Sequence, residues 1–120
     1  MITNARSRRI EAFKAAMAEA RMRSAAGDHA GAFAALERAH VLGQNNLVPH
    51  LHVHLRMLHI GVASRDWREV RGQVLRILLV PLGHLSGRLP RGNTGGASVS
   101  AVAPMPIPGD IERLLDGRES

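Results

Sequence analysis

The sequence has no cysteine and no tyrosine, and its aromatic residues are Phe13, Phe33 and Trp67 alone. Without cysteine, disulfides and thiolate metal sites are excluded, and a reducing, cytoplasmic setting is expected. So few rings leave little for the stacking platforms of single-strand nucleic-acid binders. Leu, Ala, Val and Met must therefore fill any core. Long apolar runs are also missing. The longest spans residues 77–82 and contains Pro81, far short of the ~20 residues needed to cross a bilayer. No signal-type apolar segment opens the chain, so no membrane association is expected. Lysine is almost absent: Lys14 is the single lysine among 16 basic residues, set against 10 acidic ones for a net charge of +6.

That positive balance raises the question of a nucleic-acid or acidic-surface partner. The arginines are spread from Arg6 to Arg91 and beyond without a dense run. A coding bias toward Arg and Ala explains them as well, and nucleic acid is not the expected partner.

What the chain does have is helical patterning. Its 120 residues suit one domain, read as a helical bundle over about residues 4–88 and a packed extended tail over about 89–120. Ile10, Phe13, Met17 and Ala20 recur at helical spacing in a first helix over about residues 4–26. Gly27 is a natural stop, and Asp28 a natural N-cap for a second helix that ends near Gly43. Asn46 can cap a third helix over about residues 47–64, with Pro49 tolerated in its first turn. Asp66, with Glu69 three residues on, forms a capping-box start for a fourth. Pro81 should kink or end that helix, and Gly83 and Gly87 finish it. The outline predicts an all-α fold: two stacked antiparallel helical hairpins, four helices in a tetratricopeptide-like arrangement. With only two units, a solenoid is not expected.

The tail differs in character. The loop Gly92-Asn93-Thr94-Gly95-Gly96 reads as a tight turn. The alternating prolines of residues 103–108 require extended chain, and residues 110–115 can form a last short helix. A polar linker would not carry Val99, Val102, Met105 and Ile107, so this Gly/Pro-rich tail is expected to pack back on the bundle. No Lys-Ser/Thr follows the glycines, which excludes a nucleotide P-loop. Anion binding by backbone N–H groups is weaker as a reading than a positive-φ reversal. In either case Asn93 and Thr94 can close the loop over a polar pocket.

The chemistry sits on the second and third helices. Phe33, Glu37, His40, Val41 and Gln44 share one face of the second helix at helical spacing. Glu37 and His40 are therefore neighbours on a core-facing stripe. A carboxylate there must be paired, protonated or bound to a cation. On the third helix Leu47, Leu51, Leu55, Leu58 and Val62 read as the apolar stripe. His50 and His54, one turn apart, lie beside it, as a pair binding one metal ion would. A short turn sets the two helices side by side, so Glu37, His40, His50 and His54 form a candidate ligand set. Glu69, Gln73 or Gln44 can complete it or orient a ligand. Nitrogen and oxygen ligands without sulfur suit a divalent Zn, Fe, Mn, Ni or Cu ion. Met57 and Met105 can serve soft ions but are more often core filler. The competing reading is structural: His40 bonds Glu37, and Glu37 pairs with Arg38, Arg56 or Arg76. His29, His52, His59 and His84 read singly as surface residues.

Residues 36–44 (Leu-Glu-Arg-Ala-His-Val-Leu-Gly-Gln), Pro49-His50…His54…Met57-Leu58, Glu69-Val70-Arg71-Gly72-Gln73, the Gly92–Gly96 loop and Pro104-Met105-Pro106-Ile107-Pro108 together resemble a small bacterial family known as domain of unknown function 3703. The resemblance covers about residues 30–115. It implies no stated activity, but members' genes tend to lie near metal-efflux and metal-responsive regulator genes, an association with metals. Two functions follow: a metal-binding protein for metal handling or metal-dependent catalysis, or a helical-hairpin interaction module that holds a protein partner or a second copy without metal.

Overall fold

The computed structural model describes residues 2–116. It is all-α, with five helices in the order α1 (Ile2–Ala25), α2 (His29–Gly43), α3 (Leu47–Ala63), α4 (Trp67–Ser86) and α5 (Gly109–Asp116). Among the described residues there is no strand, and no helix is long and apolar enough to cross a membrane.

The helix ends follow local chemistry. Asp28 caps α2 by accepting the Gly31 N–H at 2.9 Å, and Asp66 caps α4 by accepting the Glu69 N–H at 3.1 Å. Each satisfies a backbone donor that the first helical turn leaves orphaned. Gly27, with φ +80°, turns the chain between α1 and α2. Asn46 stands at the α3 N-cap position but its side chain makes no capping hydrogen bond. Pro81 does not end α4: the helix runs through it to Ser86 and is closed by Gly87 at φ +73°.

Helix α1 packs on α2, α2 on α3, and α3 on α4. The core joins Ala16, Met17 and Ala20 of α1 to Ala32, Ala35, Leu36 and Ala39 of α2 and to Val53, Met57 and Ile60 of α3. Small alanines on α1 and α2 let those backbones approach, and Phe13 and Phe33 pack against the cluster.

The expected face of α3 is displaced, and α4 buries a partly polar face. On α3 the buried face is His50, Val53, His54, Met57, Ile60 and Gly61, not the leucine row; Leu47, Leu55 and Val62 are exposed. On α4 the buried residues are Gln73, Arg76 and Val80, while Trp67, Val74 and Leu78 are exposed. Both helices are apolar over more than one side. What decides the inward face is that the histidines, Gln73 and Arg76 bond one another and the tail.

The tail packs back as expected. Ile111 of α5 joins Val41 and Leu42 of α2 in a second small core, flanked by Ala12, Phe13, Ile107, Leu114 and Leu115. The Met105 N–H donates to the Arg91 carbonyl at 3.0 Å, which ties the extended segment to the glycine loop. Arg38 and Asp110 add an exposed ion pair at 2.9 Å.

Candidate metal centre

Three imidazoles meet in the interior. His40 lies in the last turn of α2, and His50 and His54 lie one turn apart on the buried face of α3. The link between the helices is three residues long, residues 44–46, so the end of α2 and the start of α3 are held together. All three rings are 2–3% exposed. Their centroids are 4.6 Å (His40–His50), 4.7 Å (His40–His54) and 5.0 Å (His50–His54) apart. His40 Nε2 is 3.0 Å from His54 Nε2 and 2.9 Å from His50 Nε2. The three Nε2 atoms thus converge on one point.

The other ring nitrogen of each histidine is held from outside. His40 Nδ1 donates to the Asn93 carbonyl oxygen at 2.6 Å, and His54 Nδ1 to Gln73 Oε1 at 2.7 Å. His50 Nδ1 meets His84 Nε2 at 2.9 Å. The Gln73 amide is itself fixed, because its Nε2 donates to Glu69 Oε2 at 2.7 Å and to the Gly95 carbonyl at 2.9 Å. Its oxygen must therefore face His54. Glu69 Oε2 also accepts the Ala97 N–H at 2.9 Å.

These partners set the tautomers. A carbonyl and an amide oxygen only accept, so His40 and His54 must carry their protons on Nδ1. In the neutral rings both Nε2 atoms then present lone pairs to each other at 3.0 Å. Two facing lone pairs repel unless a proton or a cation lies between them. Protons are disfavoured. Burial, then the neighbouring His54 and His50, push His40 well below 6.5. Burial and the neighbouring His54 and His84 push His50 down to about 3. Burial lowers His54 as well, against the opposing bond to Gln73. The arrangement is therefore a set of neutral nitrogen donors aimed at one point, which can hold a metal ion. His40, His50 and His54 form a group whose ligand atoms lie within 4.8 Å of one another.

The spacing also fits. Tetrahedral bonds of about 2.0–2.1 Å place two ligand nitrogens roughly 3.3 Å apart, so a few tenths of an ångström of ring movement admits an ion.

The glycine loop forms one wall. Asn93, 2% exposed, holds it shut: its Nδ2 donates to the Ser100 and Ala103 carbonyls, both at 2.7 Å, and its Oδ1 accepts the Gly95 N–H at 2.9 Å. Gly95, at φ +87°, lies so close to His40 that a Cβ there would sit 2.5 Å from the ring. Gln44 anchors the start of the loop, donating to the Pro90 carbonyl at 2.6 Å and accepting the Gly92 N–H at 3.1 Å. Beside the imidazoles opens a cavity of about 580 Å³, lined also by Arg76, Leu79, Val80, Leu82, Leu89, Asn93 and Gly95.

Of the residues picked from the sequence, His40, His50 and His54 come together. Gln73 orients His54, Glu69 braces Gln73, and Gln44 and Asn93 shape the loop. Glu37 stands apart from the converging group. It is half-buried, and burial raises its carboxyl against an opposing hydrogen bond to Thr94. Arg38, a suggested partner for Glu37, pairs with Asp110 instead. His52 and His59 are exposed, as expected. His84, a surface residue by its sequence pattern, is instead partly buried and contacts His50. Gln73, Arg76, Val80 and His84 recur at steps of three and four, one face of α4. That row was the available signal.

Fold and site together define a class: an all-α protein with a buried three-histidine cluster opening on a cavity. The chain belongs to the family described as "Protein of unknown function (DUF3703)", whose model matches residues 7–115. No curated protein and no solved structure matches the chain.

Proposed function

We propose that the protein binds one divalent transition-metal ion through Nε2 of His40, His50 and His54, leaving one coordination position open toward the cavity. The observation that carries this reading is the pairing of roles within each ring. Nδ1 is taken by an outer partner, while Nε2 faces its counterparts at 2.9–3.0 Å. An all-nitrogen set without thiolate favours Zn(II), with Fe(II), Mn(II), Ni(II) and Cu(II) as alternatives. Three protein ligands with a vacant fourth position are the pattern of exchange or catalysis, not of a closed structural site. Such an ion can lower the pKa of a bound water and polarise an incoming group.

Metal handling and metal-dependent catalysis share this centre. Elemental analysis of tag-free protein tests it: about one metal per chain is expected, and none in a His50→Ala/His54→Ala variant. Equal metal in both would remove the reading.

A second reading rests on the side of α4 away from the cavity, where Leu75, Leu78 and Leu85 are all at least 50% exposed. A row of this kind marks an interaction surface in many proteins and supports a hairpin module that binds a protein partner or a second copy. Light scattering of the pure protein at several concentrations, with and without Leu78→Glu, tests the self-association arm. A monomer at all concentrations removes that arm.

A further inference from the structure

The cavity beside the histidines has a pronounced charge bias. Its lining contains Arg76, Arg88 and Arg91 and neither Asp nor Glu. Arg91 is engaged with Asp116 at 3.6 Å. Arg76 is 7% exposed, and among the described residues it makes no ion pair. Two of its N–H groups reach backbone carbonyls, Nη1 to Gly72 at 3.0 Å and Nη2 to Val99 at 2.7 Å. Its Nε is buried without a partner. A guanidinium has five N–H donors, so this one has donors to spare and no carboxylate in direct contact among the described residues. Burial disfavours its charged form, and Glu69 opposes this from outside the cavity lining, its Oε2 bonded to Gln73 and Ala97 and not to the guanidinium.

Arg76 is also close enough to His40 and His54 for its charge to oppose theirs. If those rings hold a dication through neutral nitrogens, as proposed above, the ion and Arg76 share a low-dielectric space with no protein carboxylate among the cavity walls. Unbalanced buried charge of one sign is strongly unfavourable. An anion that touches both cations resolves it. The rest of the wall is hydrocarbon: Leu79, Val80, Leu82, Leu89 and Val102. A volume of about 580 Å³ is in the range of small-molecule sites.

We infer that the cavity binds a small organic acid, its anionic head bridging the metal's open position and Arg76, its hydrocarbon part against the leucine-lined wall. This rests on the metal reading and assigns that site its ligand class. An Arg–carboxylate contact is charge-assisted and directional, and the apolar wall selects against fully hydrated inorganic anions. Arg76 is a binding residue in this account, distinct from the histidines that hold the ion.

The test uses full-length protein loaded with Co(II), whose visible absorption reports its ligands. The probes are octanoate, acetate, inorganic phosphate and octanol, each titrated with parallel calorimetry. Octanoate should change the Co(II) spectrum and saturate at one equivalent. Acetate and phosphate should bind at least tenfold more weakly, and octanol should leave the spectrum unchanged. Arg76→Gln should keep its Co(II) and lose at least tenfold in octanoate affinity. Leu82→Glu, at an exposed position of the wall, leaves the hydrogen bonds of Arg76 intact and should weaken octanoate similarly. It decides the matter if Arg76→Gln does not fold. Loaded protein that ignores octanoate, or variants that bind it undiminished, would overturn the inference and leave the metal reading standing. Phosphate binding as tightly as octanoate would overturn the organic-acid assignment. Failure to take up Co(II) would remove both.

Discussion

His54 Nδ1 and Gln73 Oε1 lie 2.7 Å apart, and the Gln73 amide cannot turn round, because both of its N–H groups are already given to Glu69 and Gly95. A residue on α4 thereby fixes which nitrogen of an α3 histidine looks into the centre. The chain Ala97–Glu69–Gln73–His54 makes the glycine loop, α4 and α3 parts of one device.

Breaking that device should weaken the metal without removing a ligand. Gln73→Leu keeps the volume close but leaves His54 Nδ1 without its acceptor. Outer partners of this kind are worth about 10–100-fold in metal affinity. Competition with a chromogenic chelator should show a loss of that order for Gln73→Leu. An unchanged affinity would mean the His54–Gln73 bond is incidental.

His84 should matter in the same way and to a smaller degree, since it is only partly buried and touches a single ligand, His50. His84→Ala is expected to lower affinity by about tenfold with the fold intact. The same measurement on His52→Ala, an exposed histidine of the same helix as His50, should show no change.

Gly95→Ala should damage both stability and site. The new methyl would press on the His40 ring, at a backbone φ of +87° that side chains rarely adopt. Backbone strain of this type costs about 1–3 kcal/mol. Urea unfolding should register that loss, and metal affinity should fall with it as the loop is pushed off His40. Wild-type stability in Gly95→Ala would show that the loop does not close on the ring.

Acid should destabilise the metal-free protein. All three ligand histidines have folded pKa values below 6.5, with His50 down at about 3. Below pH 6.5 the unfolded chain takes up protons that the folded one refuses, so stability rises with pH in that range. The Tm of the metal-free protein should be flat above about pH 7 and should fall steadily from pH 6.5 toward pH 3. Replacing His50 by Gln removes one of these groups and should make the fall less steep. A Tm independent of pH from 7 to 4 would contradict the buried, neutral state of the cluster.

Metal should act as a folding ligand. At a free concentration 100 times its Kd it adds about 2.7 kcal/mol, which for a chain of this size raises Tm by about 10 °C. Zn(II) should do this for wild type and not for His50→Ala/His54→Ala. Equal shifts in both would place the binding elsewhere.

Much of this was legible in the sequence. Asp28, Asp66 and Gly27 mark their helix boundaries because capping is local chemistry. His40, His50 and His54 could be grouped because a three-residue link leaves the two helices little choice of neighbour. The faces of α3 and α4 could not be read the same way. Leu47, Leu55 and Val62 are as apolar as Val53 and Ile60, and hydrophobicity alone does not rank them. Their orientation is set by long-range hydrogen bonds, His40 to Asn93 across 53 residues and Gln73 to Gly95 across 22. Glu37 was drawn in by its helical register with His40. Register fixes the side of a helix, not whether a carboxylate reaches the same point as the converging imidazoles, and Glu37 is not in that group. Arg76 reads in the sequence only as a possible partner for Glu37; its place in the cavity wall depends on the bond to Val99 of the distant tail, which helical spacing does not show.

Nitrogen-15 NMR of the imidazole rings during a Zn(II) titration bears most directly on the centre. Without metal, His40 and His54 should carry their protons on Nδ1; with Zn(II), the Nε2 signals of His40, His50 and His54 should shift together and stop moving at one equivalent. Protons found on Nε2 of His40 and His54, with no response to Zn(II), would contradict the account.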